Sequence, residues 1–163
     1  MSRTASTLAL LLGIAAASPV VAQQSFGYHG WGLRAGASTN PDQLLVGAQV
    51  DLGDVARNLR FQPNVDFGMG DGQTLVSVAA PFYFHGRIAP DVTLYGGGGA
   101  VLGFLNRDSR RARLDHEDRS TVALAPLLAG GIEFPAAVGN LALELAVSGG
   151  DLPDAKLTVG WMF

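Results

Sequence analysis

Three histidines, His29, His85 and His116, are the first side chains to test for chemistry, and they fall in separate segments with no HxxxH pair and no clustered carboxylates. A metal site needs ligands at close, characteristic spacing, so no metal and no cofactor is expected. The chain has no cysteine, which removes a thiolate nucleophile, a thiolate metal site and a disulfide framework. Ser77, Ser120 and Ser148, with His116 and Glu117, are the groups from which a nucleophile, a base and an acid would be drawn. No nucleophile motif surrounds these serines, and His116 sits in a loop where a preorganised triad is hard to build, so no catalytic residue is expected. The stretch NRDSRRARLDHEDRS, residues 106–120, is basic in its first half and acidic in its second. Its Arg110, Arg111 and Arg113 carry guanidinium forks that suit phosphate oxygens. The competing reading is a solvated loop whose halves neutralise each other. The glycines at 96–99 are followed by no helix, so they read as a device for packing or curvature within a strand rather than a phosphate loop. NPDQ at 40–43 and DGQ at 71–73 read as turns.

The remaining ionisable residues obey a different order, a period of two. In LRFQPNVDFGM, residues 59–69, the odd positions are apolar and the even ones are Arg60, Gln62, Asn64, Asp66 and Gly68. Such alternation marks a strand with one apolar and one polar face. Pro63 is an objection, since proline favours edges and bulges. Residues 43–52 set Leu44, Val46, Ala48, Val50 and Leu52 against Gln43, Gly47, Gln49 and Asp51. Residues 74–88 set Val76, Val78, Ala80, Phe82, Phe84 and Ile88 against Ser77, Tyr83, His85 and Arg87. Residues 140–147 oppose their leucines to Glu144, and residues 155–163 oppose Leu157, Val159, Trp161 and Phe163 to Lys156, Thr158 and Gly160. Weaker strands at 31–38, 91–105 and 120–134 carry Arg34, Tyr95 and Glu133 on the polar face. Helix is almost absent from this reading.

The length of 163 residues suits one domain, with 48% apolar and only 15% charged residues, 22 glycines and a net charge of −3. A weakly acidic chain is a poor candidate for nucleic acid, whose partners are basic. The high apolar fraction argues against disorder. Residues 1–22, MSRTASTLALLLGIAAASPVVA, join one basic residue, an apolar middle and a small-residue ending. They are expected to be a secretory signal cleaved after about Ala22, leaving residues 23–163 as the domain.

Eight candidate strands then fill residues 23–163, and their connections alternate in kind. The first, third, fifth and seventh lie at one end and include the long charged loop, while those at the other end, 53–58, 89–91 and 135–139, are short. Membrane-spanning barrels have an even strand number, short turns on one side and longer loops on the other. Polarity supports the same fold. One face of each strand is nearly free of charge, and the other gathers Arg34, Arg60, Arg87 and Lys156 with Asp51, Asp66, Glu133 and Glu144. Placed inward, these balanced signs form an ion-pair network that fills a small lumen, because an unpaired buried charge is costly. Inward glycines (Gly47, Gly68, Gly97, Gly99, Gly131 and Gly160) leave a narrow pore as an alternative. A soluble barrel with a greasy interior is the other, and it must put a lightly charged face on water. The expected fold is an all-β, eight-stranded antiparallel up-and-down transmembrane barrel.

Leu157, Val159, Trp161 and Phe163 close the sequence with alternating apolar residues and a final aromatic. This ending resembles the C-terminal signature that the barrel assembly machinery reads in outer-membrane proteins. Residues 23–163 as a whole resemble the small OmpA-like or OmpX-like barrels of Gram-negative outer membranes. The stretches AGASTNPDQLLVGAQVDLG, LRFQPNVDFGMGDGQTLV and LTVGWMF are similar to an uncharacterised group of outer membrane protein β-barrel domains. The resemblance implies an outer-membrane location, a monomer in contact with outer-membrane lipid and lipopolysaccharide, and a structural or interaction role. On it, Arg110, Arg111 and Arg113 would meet lipopolysaccharide phosphates. It also raises a rival, since lipid A deacylases and palmitoyl transferases are small barrels too.

Overall fold

The computed structural model of the chain describes residues 26–107 and 120–163. The expected leader and Arg110, Arg111, Arg113, His116 and Glu117 lie outside the described residues. The strands are β1 (Gly30–Thr39), β2 (Gln43–Asp51), β3 (Asp54–Ala56), β4 (Leu59–Phe61), β5 (Asn64–Gly70), β6 (Gln73–Ala89), β7 (Val92–Arg107), β8 (Ser120–Pro135), β9 (Asn140–Ser148) and β10 (Ala155–Met162). Neighbours pair antiparallel throughout, β6 joins β5 to β7, and β10 returns to β1, so the sheet closes. Because β3 prolongs β2 and β4 leads into β5, the wall is an eight-stranded barrel.

Two boundaries differ from the sequence reading. Residues 53–58, expected as a plain connection, contain β3, which forms a small hairpin with β4 through the pair Asp54↔Arg60. Gly53 (φ 72°) and Asn58 (φ 57°) supply the left-handed conformations that this kink and turn require. The strand expected over residues 59–69 is divided at Gln62 and Pro63, because Pro63 has no N–H to give the ladder. The wall remains continuous there: Gln62 N–H donates to the Pro81 carbonyl (3.3 Å), and the Pro63 carbonyl accepts from Val50 N–H (3.0 Å).

The alternation read from sequence becomes an inside and an outside. Arg34, Gln49, Asn64, Asp66, Ser77, Tyr83, Glu144, Lys156 and Thr158 are buried in the lumen. Outward side chains are apolar and open, with Leu44 at 76% and Leu124 at 75% exposure. The hairpin turns after β1, β5 and β9, with the end of β7 at residue 107 and the start of β8 at residue 120, gather at one end of the barrel, here the loop end. Gly30 and Phe163 lie at the other, here the terminus end, where Phe163 N–H donates to the Trp31 carbonyl (2.8 Å).

Candidate functional site

The lumen is layered. In the middle, Asp66 on β5 stands between two cations, with Arg34 Nε 3.1 Å from its Oδ1 and Lys156 Nζ 3.2 Å from its Oδ2. Arg34 turns its other end to β9, where Nη2 donates to Glu144 Oε1 (2.9 Å) and to Thr158 Oγ1 (3.0 Å). Tyr83 Oη donates to Glu144 Oε2 (2.8 Å), Tyr95 Oη lies 3.4 Å from the same oxygen, and the two rings meet edge to face at 5.1 Å. Lys156 Nζ also reaches Ser77 Oγ (3.5 Å). Asp66 is 1% and Lys156 4% exposed, so these charges are withdrawn from water and must satisfy one another.

Glycines create the room for this layer. Arg34 is paired across the sheet with Gly47, and Gly47 with Asp66. A Cβ at Gly47 would overlap Asp66 Oδ1, so the missing side chain is what lets Arg34 lie across β2 to its acid. Gly131 does the same between Tyr95 and Glu144: a Cβ there would stand 2.6 Å from Tyr95 Oη. The glycines at 97 and 99 admit close backbone, since a Cβ at either would overlap the Phe82 or Ala80 carbonyl.

Toward the terminus end a second cluster forms. Arg60 Nη1 donates to Glu133 Oε2 (3.0 Å), and Arg60 Nε lies 3.6 Å from Asp51 Oδ2. His85 Nε2 meets Asp54 Oδ1 at 2.9 Å, so its partner is an acid of the β3–β4 hairpin rather than one of the acids expected inside. A cavity of about 490 Å³ opens here, lined by Arg60, His85, Arg87, Asp91, Thr93 and Glu133 among others. Arg87 departs from the expected network. It is exposed at the mouth and makes no ion pair among the described residues, because β6 runs beyond the buried part of the lumen before residue 87 and the ladder slips between Arg87 and Ala89.

Toward the loop end the described lumen side chains of β6, β7 and β8 are aliphatic rather than ionic. Leu75, Val101, Leu105, Ala125 and Leu127 form an apolar cluster with Leu152, which comes from the β9–β10 connection. The expectation that charged side chains fill most of the interior is corrected here, since inward positions on β6, β7 and β8 carry aliphatic residues at this level. Tyr83, Tyr95, Ser77 and Thr158 complete the middle layer, and their parity with the charged residues is the signal that places them there.

Two of the three serines considered for catalysis have other partners, since Ser77 faces Lys156 and Ser148 Oγ donates to the Pro153 carbonyl (2.7 Å), while Ser120 is exposed at the start of β8. Leu157, Val159, Trp161 and Phe163 all stand on the outer face. Phe163 packs beside Trp31 and Trp161 with centroids at 5.1 and 6.1 Å, and Trp161 Nε1 donates to the Val138 carbonyl (2.6 Å).

No protein-family model and no curated protein matches the sequence. Solved structures do match. Neisserial surface protein A aligns with a TM-score of 0.61 at 14% identity, over 83% of this chain and 96% of that one. The N-terminal β-barrel domain of Pseudomonas aeruginosa OprF aligns at 0.54 and 14% identity, over 84% and 99%. The de novo designed TMB2.3 aligns at 0.52 and 14% identity, over 87% and 97%. Because a designed protein shares this architecture, the architecture alone specifies no activity. What the likeness establishes is the fold: the chain is built as the small eight-stranded outer-membrane barrels are.

Proposed function

We propose that this chain is an integral outer-membrane barrel with a structural or interaction role and a lumen closed to ions. The observation that carries the reading is the stacking of two different seals inside one narrow wall. The middle of the lumen is occupied by Arg34, Asp66, Glu144 and Lys156 in mutual contact, and the loop end by packed aliphatic side chains. An eight-stranded wall leaves an interior that side chains just fill, which is the condition for such closure. The apolar outer face is the surface that lipid would cover, with Trp31, Trp161 and Phe163 as an aromatic group suited to a membrane interface. The terminus end then faces the periplasm and the loop end the exterior. Arg110, Arg111 and Arg113, outside the described residues, carry guanidinium groups suited to lipopolysaccharide phosphates.

Two measurements test this. The membrane-fraction protein is expected to migrate differently in SDS electrophoresis before and after boiling, as a closed, detergent-resistant barrel does. Recovery in the soluble periplasm with no mobility change would overturn the membrane reading and make the apolar face an internal ligand surface. In planar bilayers the purified protein is expected to carry no reproducible channel current. A steady current would favour the second reading, a narrow pore, which draws on the charged cavity at the terminus end. Reversing the charge of Arg60 would then change ion selectivity.

A further inference from the structure

The connection between β9 and β10, residues 149–154, has the sequence GGDLPD. Gly150, Asp151 and Asp154 are exposed, as a loop in water should be, yet Leu152 is only 1% exposed and Pro153 is equally hidden. Leu152 enters the lumen from the loop end and occupies a gap that the strands leave open. A Cβ at Gly103 of β7 would overlap Leu152 Cδ2, and Leu75 Cδ1 lies 3.2 Å from that same point. The apolar layer is thus completed by a side chain delivered from a loop rather than from the wall.

The attachments of this loop are uneven. Ser148 Oγ donates to the Pro153 carbonyl (2.7 Å) and Ser148 N–H to the Asp154 carbonyl (3.2 Å). Asp154 N–H donates to the Thr39 carbonyl (3.1 Å), and Asn40 Nδ2 donates to Asp154 Oδ2 (2.9 Å). These bonds gather on Pro153 and Asp154. Gly149 and Gly150 stand clear, with nothing within 4 Å of either Cβ position, and Gly150 has a φ of 72°. Among the described residues, displacing one leucine and a few hydrogen bonds is a far smaller disruption than parting any pair of barrel strands.

We propose that residues 149–154 are a hinged stopper: Leu152 closes the loop end of the lumen, and the loop lifts on Gly149 and Gly150 to uncover the aliphatic layer while the ion-paired layer beneath stays shut. The proposal rests on the closed-lumen reading above.

The chain has no cysteine among its described residues, so one introduced thiol reports alone. Ala125→Cys places it in the cluster that Leu152 covers, and Ala142→Cys places a control on the inward face of β9 nearer the terminus end. Labelling of the folded protein in detergent by a polar maleimide is expected to be slow at both. Adding Asp154→Ala, which removes the bond from Asn40, or Leu152→Gly should accelerate labelling at position 125 by about tenfold or more and leave position 142 unchanged. Equal rates at position 125 with and without these changes would overturn the stopper, as would a matched rise at both positions, which means general loosening. If Leu152→Gly fails to fold, Asp154→Ala, at an exposed side chain, still decides the question. Channel current from the unaltered protein would instead overturn the closed lumen, whatever the labelling rates.

Discussion

Asp66 holds two cations with one carboxylate, and this makes it the residue whose loss is felt most. Asp66→Asn keeps the shape but leaves Arg34 and Lys156 buried with Glu144 as the remaining acid of their layer. Removing one partner of a buried charge group costs about 3–5 kcal/mol, so urea unfolding in detergent should show a loss of that order. Lys156→Met, which leaves Arg34 on Asp66, should cost distinctly less in the same assay. An Asp66→Asn variant as stable as the parent would mean that water reaches this layer. The sequence made the inward direction of Arg34, Asp66, Glu144 and Lys156 legible, because parity along a strand fixes the face. It did not reveal which acid meets which base, because that depends on register between strands distant in sequence, β1 with β9 and β5 with β10. The same parity misled at Arg87, where alternation continues after the enclosing wall has ended.

At the scale of the element, the informative contrast is between glycines that face in and those that face out. Gly131→Ala would drive a methyl into the Leu143 carbonyl and Tyr95 Oη. It should lower the yield of the heat-resistant folded form and loosen the Tyr95–Glu144 contact. Gly86→Ala, on β6, meets nothing within 4 Å and should fold like the parent. Refolding both variants side by side and comparing the unboiled electrophoretic bands checks this pair. Strand existence was readable almost everywhere, since two-residue alternation survives even the proline at position 63. The β3–β4 hairpin was not readable, because three residues are too few to show a period. Leu152 was hidden by a different cause: a loop rich in Gly and Asp reads as solvated, and a single Leu-Pro within it was the only sign that the chain turns back inside.

For the molecule as a whole, the outer face decides the environment. Val159 stands midway along β10 on that face. In a bilayer, Val159→Arg should destabilise the barrel by about 2–4 kcal/mol if it lies near the midplane, measured by unfolding from lipid vesicles rather than from micelles. On a water-facing wall the same change would have almost no effect, so the result separates a membrane barrel from a soluble one. The overall architecture was the most legible feature, because three independent cues agreed: period, polarity of the two faces and the unequal connections.

The seam of the barrel joins β1 to β10, from Gly32↔Met162 to Thr39↔Ala155. These strands stand at opposite ends of the described chain, so the barrel cannot close until β10 is available to β1. Every shorter intermediate has two raw edges whose N–H and C=O groups are unpaired and open to other chains. Contacts of such long sequence separation also form slowly. The time before closure is therefore when the chain is most exposed to aggregation, and that hazard is written into the position of one pair of strands.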